Sequence, residues 1–315
     1  MMAYETLTRH PGAFRSLTGM TPAEFDSLLA AFRSAQSRRQ RHSRATRQGQ
    51  PRQRAVGAGH PFDHDDRHRL LMALVWLRLY PTYELLGFFF DLHRRNVQLN
   101  IRDVLTTLDT LDDFPFDRPG RDRPKLRSVA AVMAAFPEVR IIIDSKEQRV
   151  NRPTGHDAQK PYYSGKKKAH TVKTQVVVDP CGHLESVGDS VPGGANHDLT
   201  LLCGSGVLEQ LDEGEAAMVD KGYVGLTNYY PGVPVVVPVK ASRHHPLTPE
   251  QRSYNREVAR CRIVVEHTMA QLNRFTVLRQ VFRGQQRGRH GQVVRVVARL
   301  VNRRLRIKPL KSYAA

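Results

Sequence analysis

Val139-Arg140-Ile141-Ile142-Ile143-Asp144 is a short apolar run that ends on a carboxylate, and Ala216-Ala217-Met218-Val219-Asp220 repeats the pattern further along the chain. Both runs have the length and content of buried strands. Each leads into a polar, lysine-containing turn, Ser145-Lys146 after the first and Lys221-Gly222 after the second. A buried strand delivers its terminal side chain rigidly to the sheet edge, where open α/β sheets place ligand sites. An aspartate in that position can also simply start a turn by accepting backbone N–H bonds. Around the two runs, residues 171–178 and 183–191 alternate as strands, joined by the hairpin turn Asp179-Pro180-Cys181-Gly182. Residues 199–211 read as a helix, 233–239 as a strand and 248–278 as a long helix. This order predicts a mixed α/β domain with a small central sheet.

A third acid, Glu266, falls on that long helix. Thr248-Pro249-Glu250-Gln251 supplies an N-cap, a proline at the first helical position and a capping-box partner. Val258, Cys261, Val265, Met269 and Leu272 predict the buried stripe, with Glu266 beside it near the core boundary. Arg262 lies one turn earlier, so this pair alone also reads as an i,i+4 surface ion pair. Three acids from distant parts of one domain share a use as hard oxygen ligands for Mg²⁺. Two such ions about 4 Å apart can stabilise both oxygens of an in-line displacement at phosphorus. Between the first two acids, Tyr162 to His170 reads as a hairpin tip carrying Lys166, Lys167 and Lys168. Strand alternation would send Lys166 and Lys168 to one face and Lys167 to the other.

The N-terminal part is helical. Thr21-Pro22-Ala23-Glu24 opens a helix to Phe32. From Ser27 to Phe62 there is no acid, and eight arginines interrupt Gln, Ser and Gly, a linker composition. Leu70, Leu71, Leu74, Val75 and Leu77 give the next helix its spacing, and Pro81 stops it. Residues 83–90 form a short helix, Asp91-Leu92-His93 a turn, and residues 94–108 a further helix. That is a helix-turn-helix outline, with Arg94, Arg95, Asn96 and Gln98 where such motifs meet base edges. Any helical hairpin with polar ends gives the same outline. Residues 112–125, rich in Pro, Asp, Gly and Arg, mark a boundary. The expected division is residues 1–62 as an N-terminal helix and arginine linker, 63–125 as the helix-turn-helix, and 126–315 as the α/β domain with a basic C-terminal helix.

Charge agrees with a polyanionic partner. Of 315 residues, 49 are Lys or Arg against 30 Asp or Glu, a net charge of +19. After Glu266 no acid follows, yet twelve Lys or Arg do, from Arg274 to Lys311. Phosphate contact explains that asymmetry better than solvation alone. No apolar run approaches the ~18 residues of a membrane span, and the N-terminus lacks a signal-peptide pattern, so a cytoplasmic, nucleic-acid-facing protein is expected. Cys181, Cys203 and Cys261 form no CxxC pair and argue against both a disulfide framework and a zinc site.

Several collinear blocks resemble the insertion-sequence transposases of the DDE superfamily. They are Ile143-Asp144-Ser145, Arg152-Pro153, Tyr163-Ser164-Gly165-Lys166-Lys167-Lys168-Ala169-His170-Thr171-Val172-Lys173, Pro192-Gly193 with His197-Asp198, Val219-Asp220-Lys221-Gly222-Tyr223, and Asn255-Arg256 with Arg262-Ile263-Val264-Val265-Glu266-His267. Upstream, Tyr83-Glu84-Leu85-Leu86-Gly87 resembles the family's helix-turn-helix. The resemblance implies a ribonuclease-H-like catalytic domain in which Asp144, Asp220 and Glu266 bind two Mg²⁺ or Mn²⁺ ions. It further implies that Lys166, Lys167, Lys168, Lys173 and Arg262 neutralise phosphate, with His197 and Asp198 shaping the site from behind. The implied partners are terminal inverted repeats and target DNA, with homo-oligomers assembling on DNA, nucleoid-associated in a bacterial cytoplasm. The sequence departs from the pattern at Lys146, where a small residue is usual, at Asn273, where a lysine is often found, and at Ala259. A DNA-binding regulator or relic that no longer transposes, and a nuclease that cuts without joining, remain the competing readings.

Overall fold

The computed structural model describes residues 3–45, 62–111, 134–284 and 288–307. The chain divides into two units, Met1–Asp112 with Arg274–Val277, and Asp113–Asn273 with Leu278–Ala315. Among the described residues, no helix is long and apolar enough to cross a membrane.

The first unit is helical: α1 (Tyr4–Thr8), α2 (Pro11–Thr18), α3 (Pro22–Ala45), α4 (Asp66–Leu79), α5 (Tyr83–Phe90) and α6 (Arg94–Leu108). The capping box at the start of α3 forms as expected. The Thr21 amide donates to Glu24 Oε2 at 2.6 Å, and the Glu24 amide donates to Thr21 Oγ1 at 3.3 Å. That helix does not stop at Phe32, however. It runs on to Ala45 through Arg33, Arg38, Arg39, Arg41 and Arg44, which composition alone assigns to a linker. No Gly or Pro occurs between Phe25 and Gln48, and Arg, Gln and Ala are good helix formers. Arg39 is also fixed from outside, 2.8 Å from Asp103 and donating to Thr107 at 2.7 Å. The remaining linker arginines, Arg47, Arg52 and Arg54, and the boundary at residues 112–125 lie outside the described residues.

Helix α4 is buried from Arg69 to Leu77 without interruption, so it is the central helix of its unit and not a one-sided one. Thr82 caps α5 by accepting from the Leu85 amide at 3.2 Å, and Asp91 ends it in the left-handed region at φ 51°. His93 then opens α6 by accepting from the Arg95 amide at 3.3 Å. Arg94, Arg95, Asn96 and Gln98 all stand exposed at the head of α6.

The second unit is built on a mixed sheet of order β2-β3-β1-β6-β7, with β4 and β5 also paired to β3. The strands are β1 (Val139–Arg149), β2 (Tyr163–Ser164), β3 (Ala169–Val178), β4 (Leu184–Val187), β5 (Val191–Pro192), β6 (Ala216–Met218) and β7 (Val235–Val236). Strands β1, β6 and β7 are parallel, whereas β3 runs antiparallel to β1 from Ile142↔Val178 to Arg149↔Thr171. The helices are α7 (His156–Gln159), α8 (Asp198–Cys203), α9 (Leu226–Tyr229), α10 (Pro249–Asn273) and α11 (Arg289–Ile307). The continuous apolar run in β1 follows from burial on both faces. Ile141 and Ile143 pack with Val177, Leu202, Ala217 and Leu226 on one side. On the other side, α10 and α11 close the sheet. Thr268 donates to the Gly182 carbonyl at 2.8 Å, and the Asn302 side chain brackets the Leu184 backbone at 2.8 and 2.9 Å.

The expected helix 199–211 is split. After α8 the chain passes Gly204 and Gly206 and makes only a 3₁₀ turn at Leu208–Gln210. Likewise the helix expected to reach Leu278 ends at Asn273, and a 3₁₀ turn at Thr276–Leu278 follows. The buried stripe of α10 is Val258, Cys261, Val264, Val265, Thr268 and Leu272, so Thr268 takes the place expected for Met269.

Candidate active site

Asp144 does not end β1, which continues five residues further because β3 pairs with it to Arg149. What ends near Asp144 is the pairing with β6, whose last rung is Ile142↔Met218. Two residues beyond that rung on each strand are Asp144 and Asp220, and Asp220 keeps extended geometry (φ −88°, ψ −179°). The two carboxylates therefore issue from neighbouring parallel strands, whose spacing is about 4.8 Å. Asp220 Oδ1 accepts from the Gly222 amide at 2.6 Å, which makes it the cap of the 3₁₀ turn Lys221–Tyr223.

Asp144 Oδ1 accepts from the Ser145 amide at 2.8 Å. Its carboxyl is nevertheless pushed up to about 6, first by burial and then by the charges of Glu266 and Asp220. Arg262 pulls the other way. From the facing side of α10 its Nη2 lies 3.8 Å from Asp144 and 3.9 Å from Glu266. The guanidinium is therefore a counter-ion shared by two acids, not one half of a surface pair. Glu266 itself is more exposed than its place beside the apolar stripe suggested, with 61% of its side chain open to solvent.

The surrounding polar groups are tightly placed. Tyr223, fully buried, brings its hydroxyl 3.0 Å from Ser145 Oγ. Burial pushes that phenol upward, so it stays a neutral hydrogen-bonding group. Its signal in the sequence was only its place after Asp220-Lys221-Gly222. A Cβ at Gly222 would lie 2.9 Å from Asp220 Oδ1 and 3.5 Å from Asp198 Oδ2, so this glycine leaves room for both acids. Asp198 opens α8 and pairs with Lys173 at 3.1 Å. Lys173 also donates to the Asn196 carbonyl at 2.9 Å and is 12% exposed. It is committed inside the fold and not offered to phosphate as expected. His197 precedes α8 without capping it.

Lys166, Lys167 and Lys168 are all exposed, but they occupy the turn between β2 and β3 and not a strand, with Lys168 at φ 49°. Strand alternation therefore does not sort them. The close fit of this hairpin explains the neighbouring glycines, since a Cβ at Gly194 would stand 2.1 Å from the Tyr163 carbonyl oxygen.

Two departures from the family pattern turn out to be partners. Lys146 Nζ donates to Asn273 Oδ1 at 2.5 Å, across 127 residues of sequence. Burial holds this ammonium down to about 8. Ala259, the third departure, lies on the exposed side of α10.

Beneath Lys146 a buried polar chain ties α11 to the sheet. His290 meets Gln148 Oε1 at 2.9 Å and Ser190 Oγ at 2.7 Å, and Ser190 meets Thr174 at 2.6 Å. Burial, then the Lys146 charge, holds His290 down to about 3, against 6.5 when free. Below pH 6.5 the unfolded chain takes up a proton that the folded chain refuses. Stability from this group is thus complete above 6.5 and falls toward pH 3 by about 1.4 kcal/mol per unit. Asp144 has the opposite sign: its raised value adds stability as pH falls from about 6 toward 3.8. The two slopes oppose each other between pH 6 and 4. In EDTA, urea unfolding at pH 7, 6 and 5 should therefore show a shallow loss in the wild type. The loss should be steeper in Asp144→Asn and reversed in His290→Gln. A His290→Gln profile matching the wild type would remove the imidazole from this account.

The carboxylates supply the hard oxygen donors that a divalent cation takes, and a guanidinium already sits against two of them. Among the described residues, no three His, Cys, Asp or Glu side chains are close enough together to enclose an ion. In this arrangement Glu266 remains turned to solvent.

Comparison with known proteins gives the same outline. The family described as DDE superfamily endonuclease matches residues 143–302, a span that begins one residue before Asp144 and includes Asp220 and Glu266. The chain is 30% identical over 241 residues to the probable transposase for insertion sequence element IS702 of Microchaete diplosiphon, covering 76% of this chain and 81% of that protein. No solved structure matches.

Proposed function

The chain belongs to the DDE-superfamily insertion-sequence transposases, and from that membership we propose that it cleaves DNA at transposon ends and joins the freed 3′-hydroxyls to target DNA. The observation that supports this reading most is the position of Asp144 and Asp220, each two residues past the last rung between the adjacent parallel strands β1 and β6, with Arg262 bridging Asp144 to Glu266. Endonucleases of this superfamily generally use divalent metal ions. Asp144, Asp220 and Glu266 would hold two Mg²⁺ or Mn²⁺, which when bound supply charge neutralisation and an activated water at the scissile phosphate.

The protein's own residues do the rest. Arg262 screens the repulsion among the acids before substrate arrives and turns to a phosphate oxygen when the strand is seated. Tyr223, through Ser145, fixes the backbone that carries Asp144. Asp198 and Lys173 brace the Asp220 turn from behind. In the ribonuclease-H-like reading of this domain, the strand lies across the sheet edge between β1 and α10. Helices α5 and α6 are taken as the helix-turn-helix that recognises terminal repeats, with Arg94, Arg95, Asn96 and Gln98 at the base edges. Homo-oligomers assembling on DNA are part of the same proposal.

The test is to incubate the purified protein with terminal-repeat DNA and Mg²⁺ or Mn²⁺ and to look for strand transfer. Joined products that vanish in Asp220→Asn or Glu266→Gln are expected. Nicks without joined products would reduce the reading to a nuclease, and DNA binding with neither would favour a regulator.

A further inference from the structure

On the far side of Lys146 from the acids, the second half of β1 forms one wall of a cleft of about 910 Å³. The opposite wall is the segment 278–283, held against β1 by backbone bonds from Phe282 N to the Arg149 carbonyl at 2.8 Å and from Asn151 N to the Phe282 carbonyl at 3.3 Å. A Gln148 side-chain bond to the Gln280 carbonyl at 2.8 Å fastens it further. Arg149 stands on one wall, Arg279 and Arg283 on the other, and Lys167 reaches in from the hairpin. With Lys146 that makes five cations. The acid in the lining, Glu147, already accepts from Thr171 at 2.7 Å. Val281, 43% exposed, gives the wall an apolar spot.

We propose that this cleft is a track for a single DNA strand running from the scissile phosphate toward the Lys167 hairpin. The inference rests on the DNA-cleaving reading above and deepens it by naming the form of DNA held beside the site. From Lys146 to Arg149, where β1 ends, is three residue steps, roughly 10 Å at about 3.3 Å per residue, and the wall continues to Asn151. A drawn-out unpaired strand spaces its phosphates at roughly twice the 3.4 Å rise of one strand in a duplex, so about two or three phosphates lie along this wall, within reach of the cations on both sides. The volume suits a few unpaired nucleotides and not a duplex. Four of these cations, Arg149, Lys167, Arg279 and Arg283, are exposed, and exposed cations lining a groove with an apolar spot are the pattern by which single strands are held without regard to sequence. Lys167 lines the track whereas Lys166 and Lys168 do not, which makes the three lysines unequal on grounds other than strand alternation.

The test uses full-length protein in EDTA and a labelled oligonucleotide, single-stranded or as its duplex, read by fluorescence anisotropy. Arg279→Gln/Arg283→Gln removes two track cations. Lys240→Gln/Arg243→Gln removes the same charge from exposed positions outside the cleft. The track variant should bind the single strand at least tenfold more weakly, with its salt slope reduced by about 1.4, the counterions of two phosphates. Duplex affinity should change less than threefold, and the control pair should change neither. Equal loss in the control pair, equal loss on duplex, or no loss would each overturn the track. Nicking of supercoiled plasmid by wild-type protein in Mg²⁺ is scored separately. Absence of nicking would sink the DNA-cleaving reading while leaving the strand-binding result to stand or fall by itself.

Discussion

Replacing Asp144 by asparagine is expected to abolish DNA cleavage and, by the same change, to make the protein more stable. The carboxyl is pushed up from 3.8 to about 6 in the folded state. Its stabilising contribution is present at low pH and is lost as pH rises through 6. At pH 7.5 the ionised form is therefore less favourable by two pKa units, about 3 kcal/mol. Asparagine keeps the shape and the acceptor for the Ser145 amide but carries no charge. Arg262 loses one of its two carboxylate partners, which offsets part of the gain. A net stabilisation of about 1–2 kcal/mol is expected, a few degrees in melting temperature. Cleavage should fall by at least about a thousandfold, as loss of a metal-binding group in phosphoryl transfer would require. Added Mg²⁺ should raise the wild-type melting temperature and leave the variant unmoved. Scanning calorimetry with and without Mg²⁺, beside a plasmid-nicking assay, decides it. A variant that is less stable than wild type in EDTA would mean that Asp144 is a structural anchor and not a strained functional acid.

That strain was only partly legible in the sequence. The runs before Asp144 and Asp220 were readable because both faces of their strands are buried, which leaves a local signature of uninterrupted apolar residues. The continuation of β1 through Ser145-Lys146-Glu147-Gln148-Arg149 was not readable. Those residues look like a turn, and they extend only because β3 supplies a ladder from a distant part of the chain. The same limit applied to side chains. Nothing near Arg262 announces its contact with Asp144, 118 residues earlier, and Lys146 and Asn273 look like separate anomalies until the fold brings them together. Composition misled in the opposite direction at α3. An acid-free arginine run suggested a linker, yet the local preference of Arg, Ala and Gln is helical, and the acids that fix it lie on α4 and α6.

Those acids carry the other large effect, because Arg69→Met is expected to cost the helical unit about 3 kcal/mol or more. Arg69 is 2% exposed at the end of the first turn of α4. It donates through Nε to Asn100 at 2.9 Å and through Nη1 to Asp66 at 3.1 Å, while Nη2 meets Asp103. The Phe62 ring covers its guanidinium, 3.5 Å from centroid to Cζ. Methionine fills much of the same space, so the loss is electrostatic and not a cavity. Asp103 keeps Arg39, and Asp66 keeps Arg33 at 3.9 Å and the Gln36 amide, which donates to it at 3.2 Å. Both carboxylates are about a quarter exposed, which places the cost at the low end of the range for a broken buried pair. Removing the stranded charge as well should recover much of it, so Arg69→Met/Asp103→Asn should be more stable than Arg69→Met alone. The chain has a single tryptophan, Trp76, buried in α4, and its fluorescence during urea unfolding reports on this unit. An unchanged midpoint for Arg69→Met would show that the helices hold together by their apolar contacts alone. A double variant less stable than the single one would show that Arg39 and Asp103 form a self-sufficient pair, and that Arg69 serves to bury the start of α4.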